Sequence, residues 1–157
     1  MTYGTVSHFE ENATVRFERV VAASIDEVWA GLSEEERLSD WLAPSRFEAS
    51  LGGAVRIDFG DEQKVDGHIT AFAANELLEY TWTFTGEPDS LLRFELEADE
   101  TSTRLILEHS MLPPEQAAGY GAGWHAHLDA LAALLEGTEP VDWDERFTAV
   151  LGRYVGA

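Results

Sequence analysis

The chain has 157 residues, 45% of them hydrophobic and 11% aromatic, and 10 basic against 30 acidic residues give a formal net charge of −20. This length and composition are typical of one globular domain and exclude a disordered chain. The carboxylates are spread along the chain and repel phosphate backbones and anionic lipid surfaces, so neither nucleic acid nor a membrane is an expected partner.

The absence of cysteine excludes a disulfide framework, a thiolate metal site and a cysteine nucleophile. No apolar run approaches the ~20 residues that span a bilayer, and the N-terminus lacks the basic-then-apolar pattern of a secretory signal. The expected location is therefore cytoplasmic.

The first elements in chain order are two strands, predicted at residues 5–9 and 14–21 around a polar turn. Ser24 and Glu27 then form a capping box, which predicts the start of a helix. Ser33 and Glu36 repeat that pattern and predict a second short helix, which ends before a proline.

Between residues 45 and 110 the hydrophobic period changes to two. Four segments show the alternation, around Ile57, Trp82, Phe94 and Leu107, and pairs such as Gly60-Asp61 supply turns between them. This pattern predicts antiparallel strands with one buried face and one solvent face.

A long helix is predicted over residues 114–136, because apolar residues recur there at helical spacing. Gly119, Gly121 and Gly123 lie in its first half, where each costs roughly 1 kcal/mol relative to alanine. We expect a helix that lies across a curved sheet and fills it only partly, which leaves a cavity. A last amphipathic segment over 138–157 predicts an extra helix that packs on the domain, with docking to another molecule as the alternative.

This order of elements predicts an α+β fold in which a curved antiparallel sheet wraps around a long C-terminal helix. A closed lipocalin-type barrel would not need the early helix pair. A doubly wound parallel sheet would need helices between the strands.

Several segments resemble the START-like, or SRPBCC, superfamily, and more narrowly the homologues of the activator of the large heat-shock chaperone's ATPase. They lie at residues 17–29, 38–42, 52–56, 77–82 and 123–129. Together they cover about residues 15–136, and their order and spacing carry the resemblance.

The resemblance implies a single domain over residues 1–157 with a helix-grip fold and a deep hydrophobic pocket. Members of the superfamily bind lipids, polyketides, hormones or aromatic compounds, and some catalyse cyclisation or dehydration. Stimulation of the chaperone by the activator involves a separate N-terminal domain, for which this chain is expected to have no room. A chaperone contact is therefore the weaker implication, and the chain is expected as a monomer or a homodimer.

Candidate ligand-binding residues follow from strand parity and from the helix face that should meet the strands. Plain core packing is the alternative for each of them taken singly. The apolar and aromatic candidates are Trp41, Phe59, Ile69, Tyr80, Trp82, Phe94, Leu107, Tyr120 and Trp124.

Two polar candidates share the inward parity. His109 can donate and accept one hydrogen bond each when neutral, which suits a ligand carbonyl or hydroxyl; the alternative is a satisfied core histidine. Arg19 must be paired if it is buried, and a protein carboxylate is favoured over an acidic ligand.

His125 and His127 lie two residues apart on the helix and diverge by about 200°, so they cannot chelate one metal ion. His127 is expected at the pocket rim and His125 at the helix edge. No motif for a metal, a phosphate or another cofactor is present.

The sequence thus predicts that a small hydrophobic molecule binds between sheet and helix. The first alternative is a cyclase or dehydratase with His109 as general acid or base and Tyr80 as hydrogen-bond donor. The second is an interaction module that acts on a chaperone through its acidic surface.

Overall fold

A computed structural model describes residues 2–155 of the protein, which form one antiparallel sheet of eight strands and four α-helices. The strands are β1 Thr5–Phe9, β2 Asn12–Val21, β3 Ser45–Phe47, β4 Ala54–Asp58, β5 Lys64–Ala73, β6 Leu77–Phe84, β7 Ser90–Asp99 and β8 Ser102–Leu112. The helices are α1 Ile25–Ser33, α2 Glu35–Trp41, α3 Ala117–Glu136 and α4 Trp143–Tyr154. The predicted α+β helix-grip fold is confirmed.

The strands are ordered β1-β2-β8-β7-β6-β5-β4-β3 across the sheet. Register shifts between Ala13 and Val15 and between Ile69 and Ala71 interrupt two of the ladders, and such bulges bend a strand. Gly67 allows a close approach of β5 to β6, because a Cβ atom there would lie 1.9 Å from the Thr81 carbonyl oxygen. The resulting curved sheet holds α3 against its inner face.

The start of helix α1 is determined by its local sequence. The Ser24 hydroxyl accepts from the Glu27 backbone N–H, as the capping box predicts. The second predicted cap is wrong: Ser33 is still inside α1, where its hydroxyl donates to the Trp29 carbonyl, and α2 begins after Glu34 with no side-chain cap.

Helix α3 follows a short 3₁₀ turn at Pro114–Gln116 and is covered on two sides. The sheet packs on one side, and α4 packs on another so closely that a Cβ atom at Gly121 would lie 2.6 Å from Tyr154 Cδ1. Both coverings explain why buried residues occur around most of the helix rather than along one stripe. Within residues 2–155, no helix is both long and apolar enough to cross a membrane.

Candidate functional site

A cavity of about 800 Å³ lies beside the N-terminal half of α3, and we call it the aromatic pocket. The sheet and the β4–β5 hairpin contribute the rings of Phe59, Trp82 and Phe84 to its lining. The helices contribute Trp41, Tyr120, Trp124, Trp143 and Phe147. Exposed residues such as Asp40 and Glu115 also line it, so the pocket opens to solvent.

Two of the three helix glycines serve this pocket. Gly119 and Gly123 are in its lining, whereas Gly121 faces α4. The predicted loss of side-chain volume along α3 therefore has two structural consequences. One is free space beside the helix, and the other is close helix packing.

A hydrogen-bonded chain through His109 holds two of the pocket tryptophans. The Trp124 indole N–H donates to His109 Nδ1 at 2.9 Å, and His109 Nε2 lies 2.7 Å from the Ser90 hydroxyl. That hydroxyl donates in turn to the Trp82 carbonyl. Because an indole N–H can only donate, Nδ1 carries no proton and Nε2 must be the donor to Ser90.

His109 is completely buried and is not in the pocket lining. Burial lowers its pKa to about 3, so the ring is neutral near pH 7 and both its nitrogens are engaged within the protein. Its contacts are those of a residue that orients Trp124. A ligand in the pocket would meet the tryptophans rather than the imidazole.

Tyr120 connects the opposite walls of the pocket. Its hydroxyl accepts from the Trp82 indole N–H at 3.0 Å and donates to the Glu87 carboxylate. Burial, with the neighbouring Glu87 carboxylate, raises the pKa of Tyr120. The phenol is therefore fixed in place and protonated.

His127 is in the pocket lining. Its Nδ1 lies 3.4 Å from the Trp41 carbonyl oxygen, which can only accept, so Nδ1 carries the proton and Nε2 is left as an acceptor. Burial lowers the pKa of His127 to about 4, and the imidazole is neutral near pH 7.

Four apolar or aromatic candidates lie outside the pocket lining. Ile69, Tyr80, Phe94 and Leu107 are buried in the core between the sheet and α3. The Tyr80 ring packs against Phe47 and Phe94, with ring centroids 5.7 and 6.5 Å apart. Its hydroxyl has no hydrogen-bond partner among the described residues, and burial raises its pKa.

Arg19 also lies away from the pocket, in a cluster that joins β2, α3 and α4. It donates to the Asp129 carboxylate at 2.7 Å, and Arg146 of α4 pairs with the other carboxylate oxygen. His125 belongs to the same cluster and is fully buried, with Nδ1 2.7 Å from the Tyr154 hydroxyl. The expectation that His125 lies at an edge of the helix is wrong, because α4 covers that face.

The pocket also contains residues that the sequence did not point to. Trp143 and Phe147 of α4 stack at 4.8 Å and form one wall, and Phe84 continues the inward face of β6. The alternation Tyr80, Trp82, Phe84 was a usable signal for the last of these. No local pattern shows which element the α4 rings will meet.

An antiparallel sheet that grips a helix and leaves an internal pocket defines the START-like class of fold. The family model described as activator of Hsp90 ATPase homolog 1-like protein matches residues 22–136. The chain belongs to this family, which confirms the resemblance carried by its sequence segments. No curated protein matches the chain.

Solved structures are similar over most of the chain. CalU16 from Micromonospora echinospora is 20% identical, with a TM-score of 0.83 over 98% of this chain and 96% of that one. The Aha1 dimer from Colwellia psychrerythraea is 18% identical, with a TM-score of 0.71 over 78% of this chain and 96% of that one. At these identities the similarity shows the fold alone.

DynU16, a protein in the dynemicin biosynthetic locus, is 27% identical to the chain with a TM-score of 0.75. The match covers 84% of this chain and 49% of that one. This chain therefore corresponds to about half of DynU16.

Proposed function

We propose that this protein binds a small hydrophobic molecule with aromatic character in the aromatic pocket. The observation that carries the proposal is the pocket itself, a cavity of about 800 Å³ with eight aromatic rings in its lining. Its volume lies within the range of roughly 300–1,000 Å³ that is usual for small-molecule sites. Membership in a family with the helix-grip fold supports the same function.

The pocket walls are held in place before a ligand arrives. Trp82 and Trp124 are fixed by hydrogen bonds to Tyr120 and His109, and the Trp41 indole N–H donates to the Gly31 carbonyl at 2.7 Å. A ligand that fills a preorganised site loses little affinity to the ordering of side chains. The rings then contribute by burial of apolar surface and by ring stacking.

Titration with prodan, a neutral naphthalene dye whose emission shifts to the blue in apolar surroundings, tests the proposal. We expect saturable binding with one dye per chain. Gly119→Phe and Gly123→Leu place side chains at two positions of the pocket lining and should weaken binding at least tenfold. Gly152→Phe adds a ring on the exposed side of α4, where a Cβ atom meets nothing within 4 Å, and should leave binding unchanged.

Failure of prodan to bind, or equal binding by the two filled variants and the wild-type protein, would overturn the proposal. Circular dichroism of each variant verifies that the fold is retained. Because all three variants replace a helical glycine, their intrinsic effect on helix stability is similar.

A further inference from the structure

The charged groups around the aromatic pocket all have one sign. Asp40, Glu87, Glu115 and Asp144 are in its lining, and no lysine or arginine among the described residues accompanies them. Glu87 accepts from Tyr120, whereas the side chains of Asp40, Glu115 and Asp144 form no hydrogen bond or ion pair with the described residues. An anionic ligand would meet repulsion at this opening, and a cation would meet attraction.

The hydrogen-bond donors of the aromatic walls are already used. Each indole N–H in the lining donates within the protein: Trp41 to Gly31, Trp82 to Tyr120, Trp124 to His109 and Trp143 to Gly123. The Tyr120 hydroxyl donates to Glu87, and the Ser39 hydroxyl to the Glu35 carbonyl. The remaining side-chain donors in the lining are the amides of Gln63 and Gln116.

Acceptors, in contrast, remain free. His127 Nε2 is an acceptor, because its Nδ1 faces the Trp41 carbonyl. Together with the three carboxylates that have no partner among the described residues, this nitrogen calls for a ligand that supplies hydrogen-bond donors.

We propose that the aromatic pocket selects a cationic ligand with N–H donors, namely a protonated amine attached to an aromatic or other apolar body. The inference rests on the proposed function and names the class of ligand. The rings of the lining favour a cation over their faces. The carboxylates and His127 Nε2 then bind the ammonium group, while the apolar body lies between the rings.

A set of three ligands with one ring system tests the inference. The ligands are 1-naphthylmethylamine, 1-naphthalenemethanol and 1-naphthoate, which are cationic, neutral and anionic near pH 7. In isothermal titration calorimetry we expect the amine to bind about tenfold more tightly than the alcohol, equivalent to about 1.4 kcal/mol, and the carboxylate to bind most weakly. Added salt should narrow these differences, because it screens the exposed carboxylates.

Variants of carboxylates at the pocket opening test whether these groups cause the preference for the amine over the alcohol. Asp144→Asn and Glu115→Gln should each weaken binding of the amine severalfold and binding of the alcohol by a smaller factor, because the alcohol carries no charge. Asp99→Asn is the matched control, because Asp99 is exposed and faces Ser102 at the opposite end of β8 from the pocket; it should alter neither ligand.

The possible failures can be told apart. If none of the three naphthalenes binds, the proposed function is overturned together with the inference. If the alcohol or the carboxylate binds as tightly as the amine, the pocket is a ligand site without the proposed preference, and the inference alone is overturned.

Discussion

Two regions that contain carboxylates lie on different sides of α3, and they differ in whether those carboxylates are paired with arginines. In the cluster around Asp129, the carboxylate is matched by Arg19 and Arg146, and its own exposed fraction is only 14%. In the aromatic pocket, Asp40, Glu115 and Asp144 have no cation beside them among residues 2–155. The first arrangement pairs its carboxylate within the protein, although Arg19 Nε and Nη2 are buried without a hydrogen-bond partner among the described residues. The second leaves its carboxylates without a partner among the described residues.

The difference follows from solvent access. A carboxylate that loses water must gain a partner within the protein, since burial of an unpaired charge is very unfavourable. A carboxylate at an open rim keeps its water until something displaces it. The Asp129 cluster is therefore expected to hold α4 in place, whereas the pocket carboxylates stay available to the proposed ligand.

The largest expected effect comes from the buried cluster. Asp129→Ala leaves two guanidinium groups without their carboxylate and should lower the free energy of unfolding by about 3–5 kcal/mol. Asp40→Asn, at the pocket rim, should change it by no more than about 0.5 kcal/mol. Urea unfolding followed by circular dichroism measures both, and equal losses would show that the two regions do not differ as described.

The buried histidines should make stability fall in acid. Unfolded imidazole titrates near pH 6.5, whereas burial lowers the pKa of His109 to about 3. Between these two pH values the imidazole is protonated in the unfolded chain but not in the folded one. The free energy of unfolding therefore decreases as the pH falls from about 6.5 toward 3, and above pH 6.5 His109 does not change it. His125 and His127, each with a pKa lowered to about 4 mainly by burial, act in the same direction.

His109→Gln should reduce the slope of stability against pH by about 1.4 kcal/mol per pH unit between pH 6 and 4. Urea unfolding of both proteins at constant ionic strength measures the two slopes, and carboxylate protonation contributes to both alike. Parallel curves would contradict the assignment of His109 as a neutral, buried group.

Two tryptophans allow a comparison between a buried indole hydrogen bond and one that water can reach. Trp124→Phe leaves the buried His109 Nδ1 without its donor and should cost about 1–3 kcal/mol beyond the loss of ring volume. Trp143→Phe frees only the Gly123 carbonyl, which accepts at 3.3 Å from a half-buried side chain, and water can replace the donor. The melting temperature of Trp124→Phe should therefore be well below that of Trp143→Phe in thermal unfolding. The reverse order would contradict this account.

The smallest expected effects come from two glycines of α3, and they have opposite signs. Gly119→Ala meets nothing within 4 Å and should stabilise the protein by about 0.4–1 kcal/mol. Gly121→Ala places a methyl group against the Tyr154 ring and should destabilise it. Differential scanning calorimetry measures both, and a stabilising Gly121→Ala would show that α4 is not packed on α3 as described.

Sequence patterns predicted the parts of the fold that local chemistry determines. Ser24 identified the start of α1, and alternation placed Trp82 on the inner face of β6. Patterns could not show that α4 covers α3, because that contact joins residues far apart in the chain. His125 was therefore misplaced, and Trp143 was not foreseen in the pocket. The hydrogen bond from Trp124 to His109 also joins two different elements, so local patterns could not show it.

The central claim, that the aromatic pocket admits a ligand, is tested most directly by the indole N–H signals of the five tryptophans in a ¹⁵N–¹H correlation spectrum during titration with 1-naphthalenemethanol. Trp41, Trp82, Trp124 and Trp143 line the pocket, whereas Trp29 packs against Phe72 outside it. The account predicts saturable shifts for the first four signals and none for Trp29. Equal shifts for all five, or movement of Trp29 alone, would contradict it.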